Sequence, residues 1–230
     1  MVSRVSVKNT KPEELHVDKL PLETRRTFLY STELEFLSKD WYLAGGTALA
    51  LQVGHRQSVD LDFFTPRLNF RELAFERNLL ATGKWTTSFR EKGTIYGMLG
   101  KAKMSFIAYP FFQPSPRRIR VGNIRMLVSE DIAAMKIIAI SQRGRKRDFV
   151  DAYWYCVHRE PLARVIERAL HGYPGQEHNM GHILKSLVYF DDADQDPMPK
   201  IFFKTTWPEI KKYFKREVPR LTKEFLGLRS

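Results

Sequence analysis

The stretch Ala44–Phe64, "AGGTALALQVGHRQSVDLDFF", decides the fold. The short apolar run "WYLA" that leads into it suits a strand ending at Gly45 and Gly46. "TALALQVG" reads as a helix of about two turns closed by Gly54. "SVDLDFF" alternates polar and apolar residues and reads as a second strand. Side chains alternate faces along a strand, so Asp60 and Asp62 project the same way while Leu61 points opposite. Two like charges side by side repel unless a cation lies between them. A hard ion such as Mg²⁺ takes carboxylate oxygens together with substrate phosphates. Gly45, Gly46 and Thr47, at the start of a helix, offer free N–H groups and the positive end of a dipole, which suits an anion. The Thr47 hydroxyl adds a further donor, and bare glycine lets a phosphate approach the backbone. A phosphate cradle beside metal-binding carboxylates fits metal-assisted nucleotidyl or phosphoryl transfer. Each piece alone has a plainer reading, the glycines as a turn and the aspartates as a polar strand edge.

Outward from this stretch, Pro12 to Lys39 reads as helical, with apolar positions at helical spacing in "LETRRTFLYSTELEFLSKD". "RELAFERNLL" is a further helix with Gly83 as its stop signal. "WTTSFREKGTIYGMLGKAKMSFIAYP" is rich in β-branched and aromatic residues and reads as two or three strands, with Gly93, Gly97 and Gly100 as hairpin glycines. "PSPRRIRVGNIRML" continues as loop and strand. From Ser129 on the pattern is helical: about Ser129 to Gln142, Lys146 to Val157, Leu162 to Leu170, His178 to Phe190 and Trp207 to Leu226, with the acidic "DDADQDPMPK" as a loop. The expected fold is α+β: an N-terminal helical segment (1–39), a core with a small mixed sheet (40–128) and a helical C-terminal domain (129–230).

The 230 residues carry a formal net charge of +12, unevenly spread. No Asp or Glu occurs from Lys92 to Ser129, while Lys101, Lys103, Arg117, Arg118, Arg120 and Arg125 lie in that span. "RGRKR" at Arg143–Arg147 and the lysines and arginines after Lys211 add two more basic clusters. Such asymmetry favours a polyanionic partner, RNA or a nucleotide, while any one cluster could equally be a solvated surface that aids solubility. A single cysteine, Cys156, excludes an internal disulfide and fits a reducing compartment. "IAAMKIIAI" is too short to cross a bilayer, and "MVSRVSVKNTKPEEL" lacks the apolar region of a signal peptide, so the expected location is the cytoplasm.

"GGTALALQVGHRQSVDLDFF" resembles the signature of polymerase β-type nucleotidyltransferases. With "SEDIAAMKIIAISQRGRKRDFVDAYWY" it looks more narrowly like the AbiEii/AbiGii group of nucleotidyltransferase toxins from abortive-infection toxin–antitoxin systems. The resemblance implies a minimal nucleotidyltransferase core with a helical C-terminal part. It also implies transfer of a nucleotide from an NTP to RNA, tRNA foremost, with Mg²⁺ as cofactor and a cognate antitoxin protein as partner. By the same resemblance Gly46 and Thr47 match the phosphate corner, Asp60 and Asp62 the metal ligands, and Arg56 the arginine shortly before them. Lys136 matches the lysine of the third motif and Asp151 the acid of the fourth, with Asp148 one turn before it on the same helix face. One departure stands out: where such enzymes carry a third strand carboxylate, this chain has Ser105, and Asp148 or Asp151 could replace it as base. A catalytically degenerate RNA- or protein-binding module, or transfer to a protein side chain, are the competing functions.

Lys136 sits in a run apolar on nearly every face, so its ammonium needs an anionic partner, either a triphosphate or Asp148 and Asp151 across a helix pair. Arg56 faces a similar choice between phosphate and Asp60. His178 and His182 have metal-ligand spacing but no catalytic glutamate between them, which suits a surface pair. "YWY" at Tyr153–Tyr155 is core, interface or a base-stacking element, and Cys156 is a buried thiol.

Overall fold

The computed structural model describes residues 6–38, 40–174 and 179–226, and it divides into two compact units, Met1–Ser129 and Glu130–Ser230. The first is built on an eight-stranded mixed sheet in the order β1-β7-β8-β2-β3-β6-β5-β4. Its strands are β1 (Ser6–Asn9), β2 (Tyr42–Ala44), β3 (Leu61–Thr65), β4 (Trp85–Glu91), β5 (Thr94–Leu99), β6 (Ala102–Ala108), β7 (Arg117–Val121) and β8 (Ile124–Leu127). Helices α1 (Leu22–Ser31), α2 (Gly45–Val53) and α3 (Glu72–Leu80) accompany them.

Alternation along β3, β5 and β6 gives the sheet one buried face. Leu61, Phe63, Ile95, Leu99, Met104 and Phe106 are at most 2% exposed. Phe106 is the hub, with ring centroids 4.8 Å from Phe75 of α3, 5.3 Å from Trp41 and 5.3 Å from Phe63. Burying each such side chain contributes about 1.5–3 kcal/mol, which fixes the register of the strands and hence what the opposite face presents.

The second unit is helical: α4 (Ser129–Arg143), α5 (Lys146–His158), α6 (Leu162–Gly172), α7 (Met180–Ser186), α8 (Asp191–Gln195) and α9 (Trp207–Leu226). Phe149 of α5 anchors its core, with ring centroids 5.1 Å from Phe190, 5.8 Å from Trp207 and 5.4 Å from Phe214.

Five local features differ from the sequence expectation. Between Pro12 and Ser38, α1 is joined by three 3₁₀ turns and does not extend along the whole segment, because Pro12 and Pro21 fix φ and lack an N–H donor, so the chain restarts after each. β1 is an unforeseen strand that pairs in parallel with β7, Ser6 opposite Arg117. The acidic loop contains α8, whose first-turn Asp191, Asp192 and Asp194 complement the helix dipole. Gly97 lies inside β5 and not in a turn, where a Cβ would stand 2.4 Å from the Trp85 ring. Asn179 caps α7 by accepting from the His182 N–H, so that helix starts at Met180; His178 lies outside the described residues.

Candidate active site

Three elements build the site in the first unit. β2 ends at Ala44, which pairs with Asp62 of β3, and α2 begins at the next residue. The chain must turn there within one residue, and Gly45 does so with φ +70°, a left-handed conformation that side chains other than glycine rarely adopt. A Cβ on Gly45 would stand 3.0 Å from Asp62 Oδ2, so the carboxylate lies directly against the corner. Asp62 Oδ1 accepts a hydrogen bond from Ser105 Oγ at 2.7 Å, across the parallel pairing of β3 and β6. Ser105 therefore occupies the sheet position at which the family resemblance implies a third strand carboxylate, and it orients Asp62.

Asp60 falls one residue before β3, whose first residue, Leu61, pairs with Met104 of β6. Its backbone is nonetheless fixed. Thr47 is 1% exposed, and its hydroxyl lies within hydrogen-bonding reach of the Asp60 carbonyl and, at 2.9 Å, of Ser58 Oγ. A hydroxyl has one proton, so Thr47 donates to the carbonyl and accepts from Ser58. The side chain thus braces the segment before β3, and what Thr47 turns towards an anion at the start of α2 is its N–H.

Gly46 answers a different need. A Cβ there would stand 2.1 Å from Arg56 Nη2, so the absent side chain makes room for a guanidinium that is 3% exposed. Arg56 Nη1 donates to the Gln57 carbonyl at 2.9 Å. A cation buried at the positive end of a helix raises the local potential, which favours an arriving anion. Gly45, Gly46, Thr47, Arg56, Asp60 and Asp62 thus gather around one corner. Ser58, which the sequence did not single out, belongs with them.

Lys136, Asp148 and Asp151 assemble in the second unit. Lys136 Nζ lies 2.7 Å from Asp148 Oδ1 and 2.8 Å from Asp151 Oδ2, and Arg143 Nε lies 3.1 Å from Asp148 Oδ2. Burial pushes the Asp148 carboxyl up, but the Lys136 ammonium and Arg143 guanidinium outweigh it and hold the group below the ordinary carboxylate range. In "YWY", Trp154 and Tyr155 are buried, and Tyr153 packs on Phe203 and Tyr213, so this stretch is core of the helical unit. Cys156 is buried, as expected.

Among the described residues no three His, Cys, Asp or Glu side chains cluster as a metal site, and no helix is long and apolar enough to cross a membrane. The Asp62 carboxylate beside the glycine corner still suits Mg²⁺, which keeps several waters and completes its shell with substrate oxygens.

A glycine-opened helix leaning on an aspartate strand of a mixed sheet is the frame of the nucleotidyltransferase fold. The sequence model of the family described as "Nucleotidyl transferase AbiEii toxin, Type IV TA system" matches residues 27–226. The chain belongs to that family. It is similar to the uncharacterized protein aq_aa25 of Aquifex aeolicus (strain VF5), 33% identical over 197 residues that span 83% of this chain and 90% of the relative. Its fold is similar to that of MenT4, a nucleotidyltransferase toxin from Mycobacterium tuberculosis H37Rv, with a TM-score of 0.50 at 12% identity over 87% of this chain and 84% of that one.

Proposed function

We propose that this protein transfers a nucleotide from an NTP to RNA, tRNA foremost, with Mg²⁺ as cofactor, as the toxin of a cytoplasmic toxin–antitoxin pair whose antitoxin neutralises it. The observation that carries the proposal is the contact between the Asp62 carboxylate and the Gly45 corner, 3.0 Å from Oδ2 to the Cβ position of Gly45. It supports a reading in which one triphosphate reaches both a metal ligand and an anion site. The family membership and the basic run from Lys92 to Ser129 support the same reading.

In this mechanism Asp60 and Asp62 would hold the metal, and the α2 N–H groups and Arg56 would take the phosphates. A bound divalent ion would neutralise triphosphate charge and make the acceptor hydroxyl more acidic. The hydroxyl oxygen attacks the α-phosphorus, the bond to the bridging β-oxygen breaks, pyrophosphate leaves with that electron pair, and the proton passes to water. Ser105 keeps Asp62 Oδ1 engaged and so holds Oδ2 towards the corner. Lys136, Asp148 and Asp151 serve as an internal ion cluster, in which Lys136 meets both acids and Arg143 meets Asp148.

Incubation of the purified protein with each α-labelled NTP, Mg²⁺ and total RNA tests this. Label should enter RNA, and Asp62→Asn should abolish transfer. Label that enters RNA undiminished with Asp60→Ala and Asp62→Asn contradicts the proposal, and label on protein in place of RNA moves the acceptor to a side chain. Ser105 in the place of an acid favours one competing reading, a module that binds RNA without chemistry. Tight RNA binding with no transfer of any nucleotide would establish it.

A further inference from the structure

The face of the sheet that bears Asp62 carries an aromatic pair. Direct pairing runs from Asp62 on β3 to Ser105 on β6, Tyr96 on β5 and Phe89 on β4, so the four side chains stand in one row on one side. Phe89 and Tyr96 are stacked, with ring centroids 5.9 Å apart and planes 23° apart, and they are 45% and 40% exposed. Burial first, and then the Asp62 carboxylate and Glu91, push the Tyr96 phenol above its ordinary value, so ring and carboxylate share one field. Neighbouring strands lie about 4.8 Å apart, which sets Tyr96 roughly 10 Å from Asp62 at the backbone, a span that the ribose and base of one nucleotide bridge. Lys103, exposed and paired with Met98, lies on the same side.

We propose that Phe89 and Tyr96 form a stacking platform for the terminal unpaired nucleobase of the acceptor RNA, and so position its hydroxyl at Asp62. The inference rests on the nucleotidyl-transfer reading above. Geometry selects the acceptor over the incoming nucleotide. The pyrophosphate leaves from the α2 corner, on the β2 side of Asp62. In-line displacement brings the attacking hydroxyl from the opposite side of the phosphorus, over β6 and β5. Aromatic faces take any base, and the lysines of the acid-free run from Lys92 to Ser129 suit the phosphates that follow it.

The test uses the full chain and a single-stranded RNA with 2-aminopurine at its 3′ end, whose fluorescence is quenched by stacking. The wild type should quench it. Tyr96→Ala and Phe89→Ala should weaken RNA binding about 5- to 150-fold, the ~1–3 kcal/mol of one base stack, and abolish the quench, while Tyr96→Phe keeps both. Both rings are exposed, and unchanged melting temperatures of the alanine variants would show that the fold is kept. In the transfer assay KM for RNA should rise and KM for NTP stay constant. Absence of a quench in the wild type, equal quenching in all variants, or a rise in KM for NTP alone would overturn the platform. Asp62→Asn separates the two claims: if it quenches like wild type but no protein transfers label, the platform stands and the enzymatic reading falls.

Discussion

Lys136→Met removes the cation at the centre of the helical unit's ion cluster. Lys136 is 5% exposed, and Asp148 and Asp151 are 0% exposed. Without the ammonium, Asp148 retains Arg143, whose side chain is 52% exposed and therefore screened by water. Leaving buried carboxylates without their main counter-ion costs about 3–5 kcal/mol. Methionine keeps most of the apolar stem, so little of the loss is packing. Urea unfolding followed by helical circular dichroism at pH 7 measures it. The pH dependence separates charge from shape. In the wild type the folded Asp148 pKa lies below the unfolded value of about 3.9, so its stabilisation is present above that pH and is lost as pH falls through the folded pKa. In Lys136→Met, burial dominates and raises the folded pKa, so the variant is penalised at neutral pH and relieved as acid protonates the group. The gap between the two proteins should be widest near pH 7 and narrow on approach to pH 4. A gap under about 1 kcal/mol at pH 7, or one of constant size across that range, refutes the reasoning.

Gly45→Ala forces a left-handed alanine and sets a methyl 3.0 Å from Asp62 Oδ2. It should cost about 1–3 kcal/mol, lower the melting temperature by roughly 2–4 °C per kcal/mol, and abolish transfer. Transfer at the wild-type rate would show that the corner is only a turn. Gly46→Ala displaces the Arg56 guanidinium and should raise KM for NTP; an unchanged KM removes Arg56 from phosphate binding. Burial pushes the Cys156 thiol up to about 12, so alkylation by iodoacetamide at pH 8 should be at least about a hundredfold slower than for a free cysteine, and normal in urea. Fast labelling of the folded protein would show that the helical unit opens there.

The strand–corner–helix–strand unit was legible because glycine conformation, helix spacing and strand alternation all act within twenty residues. The β3 boundary was not, because it depends on the pairing of Leu61 with Met104, more than forty residues away on β6. β1 escaped notice since its four residues are all exposed and carry no alternation to betray a strand; pairing with β7 alone defines it. "IAAMKIIAI" announced a buried lysine in need of an acid, and Asp148 and Asp151 at helical spacing were the candidates; that both meet Lys136 is visible only in the geometry. Ser58, Phe89 and Tyr96 gave no signal. Their importance comes from which residues the register sets beside them, and single residues in loops and mixed strands do not reveal that.

Crystals of the protein soaked with Mn²⁺ and a non-hydrolysable NTP test the metal-and-corner site directly. An anomalous peak within about 2.1 Å of carboxylate oxygens of both Asp60 and Asp62, with triphosphate oxygens on the N–H groups of Gly45, Gly46 and Thr47, is the expected result. A nucleotide bound elsewhere, or a metal held by neither aspartate, would contradict it.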